Sequence, residues 1–376
     1  MKNNKFLIIG AGAEGQAIAA HLAILGAEIT LYNRGARRIA SIQEKGGIEL
    51  AGAIENFGKI NKVTSNLEGA LGSADIIIIT VPAYAHNDIA EACSLKFRDG
   101  QMIILMPGRT GGAIEFTQRL RRLKIKKELI IAETPTAPYS CRLLEERLVI
   151  MIYALKRKVP IAAFPSRDTR KVIEALRAYF PQFIPAKNVL ETSLSNVGCI
   201  LHPAPTLFNI GWIENLKTQF IYYYEGITPT IAKILEEMDV ERVRVAEALG
   251  VNTLSVRLWL KEVYGSAGDS LYEALQNTAS YRWILAPPTL NHRYIWEDVP
   301  TGLVPIASLG SQLGVKTPTM NLIIDLACKA CSFDFRRNGR TMKSLGLSNL
   351  GSEKLKELVY RGYGKKFWLR KKVSPT

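Results

Sequence analysis

The sequence predicts two domains in series: an α/β domain of alternating strands and helices over residues 1–185, then a mostly α-helical domain over residues 186–376. Three observations carry this reading. The first forty residues alternate strand, glycine-rich loop, helix and strand. Three further short runs are apolar on both faces and end in loops rich in Pro, Gly or Thr. From about Thr192 onward helical periodicity takes over, punctuated by Pro203, Pro229, Pro287, Pro288, Pro300, Pro305 and Pro318. A chain of 376 residues suits two or three domains. With 47% hydrophobic and 22% charged residues its composition is globular, which excludes extensive disorder and fibrous architectures.

Phe6–Ile9 is a strand-like run, followed by Gly10-Ala11-Gly12-Ala13-Glu14-Gly15. Ala17, Ile18, Ala20, His21, Leu22 and Leu25 then mark an apolar helix that stops at Gly26, and Ile29–Tyr32 is a second strand. A G-x-G-x-x-G loop between a strand and a helix is the fingerprint of a Rossmann dinucleotide-binding domain. Gly10 permits the tight turn, Gly12 lets backbone approach a pyrophosphate, and Gly15 lets helix and strand pack closely. The helix N-terminus offers free N–H groups and partial positive charge to phosphates. At the end of the second strand, where NAD-specific sites carry an acidic residue for the ribose, stand Asn33, Arg34, Arg37 and Arg38. A neutral and basic cluster attracts a 2′-phosphate that a carboxylate would repel. NADP(H) is therefore the expected cofactor, with NAD(H) as the alternative.

The runs Ala74–Val81, Met102–Met106 and Leu129–Ala132 read as central parallel strands. Pro82 ends the first. The second leads into Pro107–Gly112, the third into Glu133-Thr134-Pro135-Thr136. Ligands of open α/β sheets bind beyond the carboxyl ends of the strands, so Val81, Pro82 and Thr134 are expected to face the cofactor crevice. Val172–Tyr179 reads as a helix.

The net charge of +15 is spread over both halves and points to anionic partners, with nucleic acid, membrane surfaces and small acids all open on composition alone. Clusters at 119–127 and 361–372 read as solvated faces. Ile76–Val81 with its flanks is far too short an apolar run to span a membrane. Five scattered cysteines fit a reduced, cytoplasmic protein. Cys328-x-x-Cys331 has no second pair to complete a zinc site, and no metal is expected. His21, His86, His292 and the run Tyr222–Tyr224 read as packing residues.

The second half carries unusual strings: Asn196-x5-His202-Pro203, continuing to Leu207-x-Asn209-x-Gly211; then Tyr223-Tyr224-Glu225-Gly226-Ile227-Thr228-Pro229; Asp239-x-Glu241-Arg242; and Arg293-Tyr294-x2-Glu297-Asp298-Val299-x-Thr301-Gly302. With the N-terminal fingerprint, these resemble the opine dehydrogenase family of the octopine and nopaline type, over Phe6 to about Leu347. The resemblance implies a Rossmann domain, a helical domain, and an active site between them. It implies an enzyme that joins an amino acid to a 2-oxo acid by reducing the imine with a nicotinamide. It assigns His202 as acid/base, Asp298 as its partner carboxylate, Arg293 to the oxo-acid carboxylate and Trp259 to the amino-acid side chain. Asn33-Arg34 departs from the family's acidic position, which leaves the chemistry intact and the NAD preference in doubt.

The residue types suit that chemistry. Imine reduction needs a proton as the hydride arrives, and histidine titrates near neutrality. A bonded Asp fixes the tautomer, and Arg grips a carboxylate with two parallel bonds. Pro203 directly after His202 predicts a helix start. The rival readings are a 2-oxo acid or ketopantoate-type reductase, which would rely on a catalytic lysine, and a non-catalytic cofactor-sensing or nucleic-acid-binding protein. On the favoured reading the partners are small-molecule substrates, with neither nucleic acid nor membrane; a homodimer is left open.

Overall fold

The structure, a computed structural model, describes residues 4–144, 148–215 and 219–364. Among these the strands, in chain order, are β1 (Lys5–Ile9), β2 (Glu28–Tyr32), β3 (Gly47–Gly52), β4 (Asn56–Lys59), β5 (Lys62–Thr64), β6 (Ile76–Ile79), β7 (Met102–Leu105), β8 (Ile130–Glu133), β9 (Tyr139–Leu144), β10 (Val149–Leu155), β11 (Val159–Phe164) and β12 (Phe183–Pro185). The main sheet runs β12-β11-β8-β7-β6-β1-β2-β5. From β5 to β8 every pair is parallel, and the order reverses between β1 and β6, as in a doubly wound dinucleotide-binding sheet. β11 then joins β8 antiparallel and β12 joins β11 in parallel.

The apolar runs divide by parity because successive strand side chains point to opposite faces. Phe6, Ile8, Ile76, Ile78 and Ile104 pack on one face, together with Ala17, Ile18 and Leu22 of helix Ala13–Ile24. Leu7, Ile9, Ile77, Ile79, Ile103 and Leu105 pack on the other, in a core continuous with the helical half. Burying each such Ile contributes about 1.5–3 kcal/mol. The sheet's second face is therefore what holds the two halves together.

The two-strand unit, the three central strands and the helix after Pro203 lie where the sequence predicts, within one to three residues. The helix read at Val172–Tyr179 begins earlier, at Thr169, and ends at Leu176. Two features differ in kind. A second sheet, β4-β3-β10-β9, lies across helix Ala13–Ile24. The sequence pattern does not mark β3, β4, β5, β9, β10, β11 or β12, although Val149–Leu155 has strand composition. After β12 the elements among the described residues are all helices, the first beginning at Val189 and the last ending at Arg361. No described helix is long and apolar enough to cross a membrane. Of the basic cluster at 361–372, residues 365–372 lie outside the described residues.

Candidate active site

The carboxyl ends of β1, β2 and β6 open into a cleft of about 1030 Å³, lined by Gly10, Asn33, Arg34, Arg37, Arg38, Lys45, Val81 and Pro82 among others. It runs on through Gly10, Asn33, Arg38, Val81 and Pro82 into a narrower space of about 310 Å³ between the two halves, where Ala11, Gly12, Ala13 and Glu14 meet His202, Trp259 and Arg293. The glycines behave as the motif requires. Gly10 has φ +115°, and a Cβ on Gly15 would lie 1.9 Å from the Gly10 carbonyl oxygen. A Cβ on Gly12 would meet nothing within 4 Å, so its backbone is open for close approach by a ligand. Asn33 Oδ1 accepts from the Ala11 N–H at 3.1 Å and ties the second strand's end to this loop. These residues fit a dinucleotide.

Arg34, Arg37 and Arg38 are exposed on the segment after β2, and none is in an ion pair among the described residues. Asp88 lines the same cleft from the helix His86–Cys93. Glu14 sits in the first turn of the helix after the glycines. Burial pushes its carboxyl up to about 7 despite Arg293 and Lys156 nearby. Burial thus leaves this carboxyl less charged near pH 7 than an exposed one, which lessens its repulsion of phosphates beside it.

His202 lies between the short helices Gly198–Leu201 and Pro203–Phe208, with Pro203 at the first position of the second. Its carbonyl accepts from the Tyr222 hydroxyl at 2.6 Å and the Thr206 hydroxyl at 2.8 Å, which fixes the backbone. Nδ1 faces Asp298 Oδ2 at 2.7 Å and Nε2 faces the Tyr223 hydroxyl at 3.0 Å. The ring lies flat against Tyr294, centroids 4.0 Å apart. Asp298 is fully buried behind it, ahead of a π-helical segment, Val299–Leu303. Burial lowers the imidazole below its ordinary value; Asp298 opposes this, and Arg109 and Arg293 reinforce it.

Arg109 was not expected in the site. It follows Gly108 in the loop after β7, in the left-handed region at φ +60°, an uncommon conformation for a side-chain-bearing residue. Nη2 bonds Glu297 Oε2 at 2.9 Å and Nη1 lies 3.4 Å from Asp298 Oδ1. Glu297 Oε1 accepts from the Ala83 N–H at 2.8 Å, in the loop after β6. Burial would raise Glu297, but Arg109 and Arg293 hold it down at about 2. Arg340 is buried behind these loops and donates to the carbonyls of Gly108, Thr110 and Ala83. The His202–Asp298 pair of the helical half is thus held by Arg109 of the nucleotide half.

Arg293 opens the helix Arg293–Trp296 at the cleft wall, its Nε 3.6 Å from Glu297 Oε2. Trp259 also lines the cleft, beside Tyr264 and Tyr281. Thr134 does not: it is fully buried, pinned by its own N–H to Leu105 and its carbonyl to Gly108, and Thr136 lines the cleft instead. Tyr223, read as packing, lines the cleft and bonds His202. His21 bonds the Tyr139 hydroxyl, His86 is buried against Arg340, and His292 caps the helix at 293, so all three have structural partners. A lysine absent from the motif strings, Lys156, also lines the cleft; its Nζ donates to Thr136 Oγ1 at 2.6 Å and the Ala137 carbonyl at 2.8 Å. Burial lowers it to about 8. No group of three metal-ligating side chains occurs among the described residues.

A doubly wound nucleotide domain and a helical domain sharing a cleft with a buried His–Asp pair define a nicotinamide-dependent dehydrogenase. Residues 185–331 match the family model for the α-helical domain of NAD/NADP octopine/nopaline dehydrogenase, and residues 6–107 match that of ketopantoate reductase PanE/ApbA. The chain is 38% identical over 360 residues to an opine dehydrogenase of Arthrobacter sp. (strain 1C), covering 96% of this chain and 99% of that one. The solved structure of octopine dehydrogenase with NADH and agmatine superposes with TM-score 0.75 at 20% identity, covering 94% and 97% of the two chains. Yersinopine dehydrogenase with NADP+ bound superposes with TM-score 0.69 at 16% identity, covering 96% and 99%. The chain belongs to the opine dehydrogenase family, and it is an NAD(P)-dependent oxidoreductase of that type.

Proposed function

We propose that this chain condenses the amino group of an amino acid with a 2-oxo acid and reduces the product at His202, using NADPH in preference to NADH. The observation that carries the catalytic part is the 2.7 Å contact between His202 and Asp298, which are 96 residues apart. With Asp298 accepting from Nδ1–H, the imidazole is held in one tautomer and Nε2 is the atom that exchanges protons. The glycine loop Gly10–Gly15 would hold the pyrophosphate of the dinucleotide, whose nicotinamide would supply the hydride. His202 protonates the oxo-acid oxygen as the amine attacks, takes up a proton from the amine nitrogen and passes it to the new hydroxyl, which leaves as water and gives the imine. Tyr223, bonded to Nε2, orients the ring. Arg293 holds the oxo-acid carboxylate, and the rings of Trp259, Tyr264 and Tyr281 form a wall for an uncharged amino-acid side chain.

The cofactor preference rests on Arg34, Arg37 and Arg38, exposed at the cleft and unpaired with any described carboxylate, together with the absence of an acidic residue at Asn33. A second reading draws on Lys156, which could serve a 2-oxo acid reductase, although two acceptors already hold its ammonium. One assay separates them. NADPH oxidation is followed with amino acids and 2-oxo acids together and singly, and then with NADH. The proposal requires both substrates and lower activity with NADH. Full activity with the oxo acid alone would replace it with the reductase reading.

A further inference from the structure

An opine-forming site has two carboxylates to hold, one from each substrate, and Arg293 accounts for one. Arg142, on β9, lines the same cleft and is exposed to it. Its Nη2 donates to the Tyr294 hydroxyl at 3.0 Å and its Nη1 to the Cys141 carbonyl at 3.2 Å. Tyr294 is the ring that lies flat on His202, interplanar angle 13°, so this guanidinium is one ring away from the acid/base group. Arg109 and Arg293 both have carboxylate partners. Arg142 has none among the described residues, and its two neutral acceptors leave most of its five donors for a ligand. A cation that is oriented yet paired with no described carboxylate suits an anionic ligand.

Position divides the two carboxylates between the two arginines. Arg293 lies on the nucleotide side, against Glu297 and the 81–84 loop that Glu297 also holds. Arg142 lies toward the aromatic wall: its partner Tyr294 leans on Tyr222, and Tyr223 stacks on Tyr281 at 4.1 Å, which meets Tyr264 and then Trp259 edge-on. An amino acid with its side chain on that wall turns its carboxylate to Arg142. We propose that Arg142 binds the α-carboxylate of the amino acid, leaving Arg293 for the 2-oxo acid. This rests on the opine-forming reading above.

The test compares full-length wild type with Arg142→Met and Arg142→Lys, using an amino acid and the amine lacking its carboxylate as alternative substrates beside the same 2-oxo acid. NADPH binding, read by its fluorescence, reports the folded state. Arg142→Met should raise the amino-acid KM about 10- to 100-fold, the range for losing a hydrogen bond to a charged group. The 2-oxo acid KM and NADPH affinity should stay unchanged. The wild type's preference for the amino acid over the amine should vanish in Met and survive in part in Lys. If Arg142→Met does not bind NADPH, Arg142→Lys carries the test through the same selective rise in amino-acid KM. A rise in the 2-oxo acid KM instead, or an intact preference for the amino acid, overturns the proposal. A wild type that consumes NADPH with no amino acid and 2-oxo acid pair overturns the underlying reaction assignment, a separate and recognisable outcome.

Discussion

Replacing Arg109 with Met should cost stability in a pH-dependent way whose size follows from the ion pairs it makes. Arg109 is buried between Glu297 and Asp298, whose side chains are 2% and 0% exposed, so solvent screens these pairs little. Glu297 is displaced from 4.5 to about 2 in the folded protein. At about 1.4 kcal/mol per pKa unit, that displacement, the balance of burial against Arg109, Arg293 and the Ala83 N–H, is worth about 3 kcal/mol at neutral pH. Breaking a buried pair from one side costs about 3–5 kcal/mol by mutational experience, and the two figures agree. Because the folded value is depressed, the contribution is complete above pH 4.5 or so and is lost as pH falls toward 2. Urea unfolding of wild type and Arg109→Met should therefore differ by about 3 kcal/mol at pH 7. The gap should narrow to roughly half that at pH 3. A gap below about 1 kcal/mol at pH 7, within the range of a surface pair, would refute the argument, as would a gap equally wide at pH 3.

Three further outcomes follow from the same geometry. His202 must be protonated to give up its proton, and burial sets its value below 6.5. The reductive kcat/KM should then fall as pH rises through an apparent value under 6.5, whereas the oxidative direction should gain across the same interval; a reductive limb above 7 would contradict this. A Cβ on Gly198 would lie 2.6 Å from Arg109 Nη1 and 3.4 Å from His202 Cε1. Gly198→Ala should therefore lower turnover at least 10-fold with NADPH affinity retained, since small displacements of catalytic groups cost up to about 100-fold; unchanged turnover would show that the network tolerates displacement. Replacing Arg34, Arg37 and Arg38 together with Ala should raise the NADPH KM about 10- to 100-fold, on the scale of charge-assisted bonds, and leave the NADH KM in place. An equal effect on both cofactors would remove the 2′-phosphate from the explanation.

Much of the site was legible because its residues lie in strings with local rules. The glycine loop announces itself between a strand and a helix, and Pro203 marks the helix that follows His202. What escaped depends on distance along the chain. Arg109 is a single charged residue in a glycine-rich loop, and its partners are 188 and 189 residues away, so neither periodicity nor spacing points to them. Arg142 sits on β9, whose run Tyr-Ser-Cys-Arg-Leu-Leu is short and mixed in composition, unlike the continuous apolar runs of the central strands, so it does not stand out as a strand. Thr134 failed for a different reason. The loop after β8 faces the crevice as expected, but a bond from its own N–H to Leu105 turns this residue inward and leaves Thr136 at the surface. The rule that strand ends carry ligands locates the loop without choosing the side chain within it.

The central claim is that His202 does the proton chemistry of a two-substrate reductive condensation. Turnover of His202→Ala, measured with NADPH, an amino acid and a 2-oxo acid all saturating, tests it directly. The account predicts a fall of about 10²–10⁴-fold, the usual share of acid/base catalysis, with NADPH binding intact. Turnover within a few-fold of wild type would contradict it.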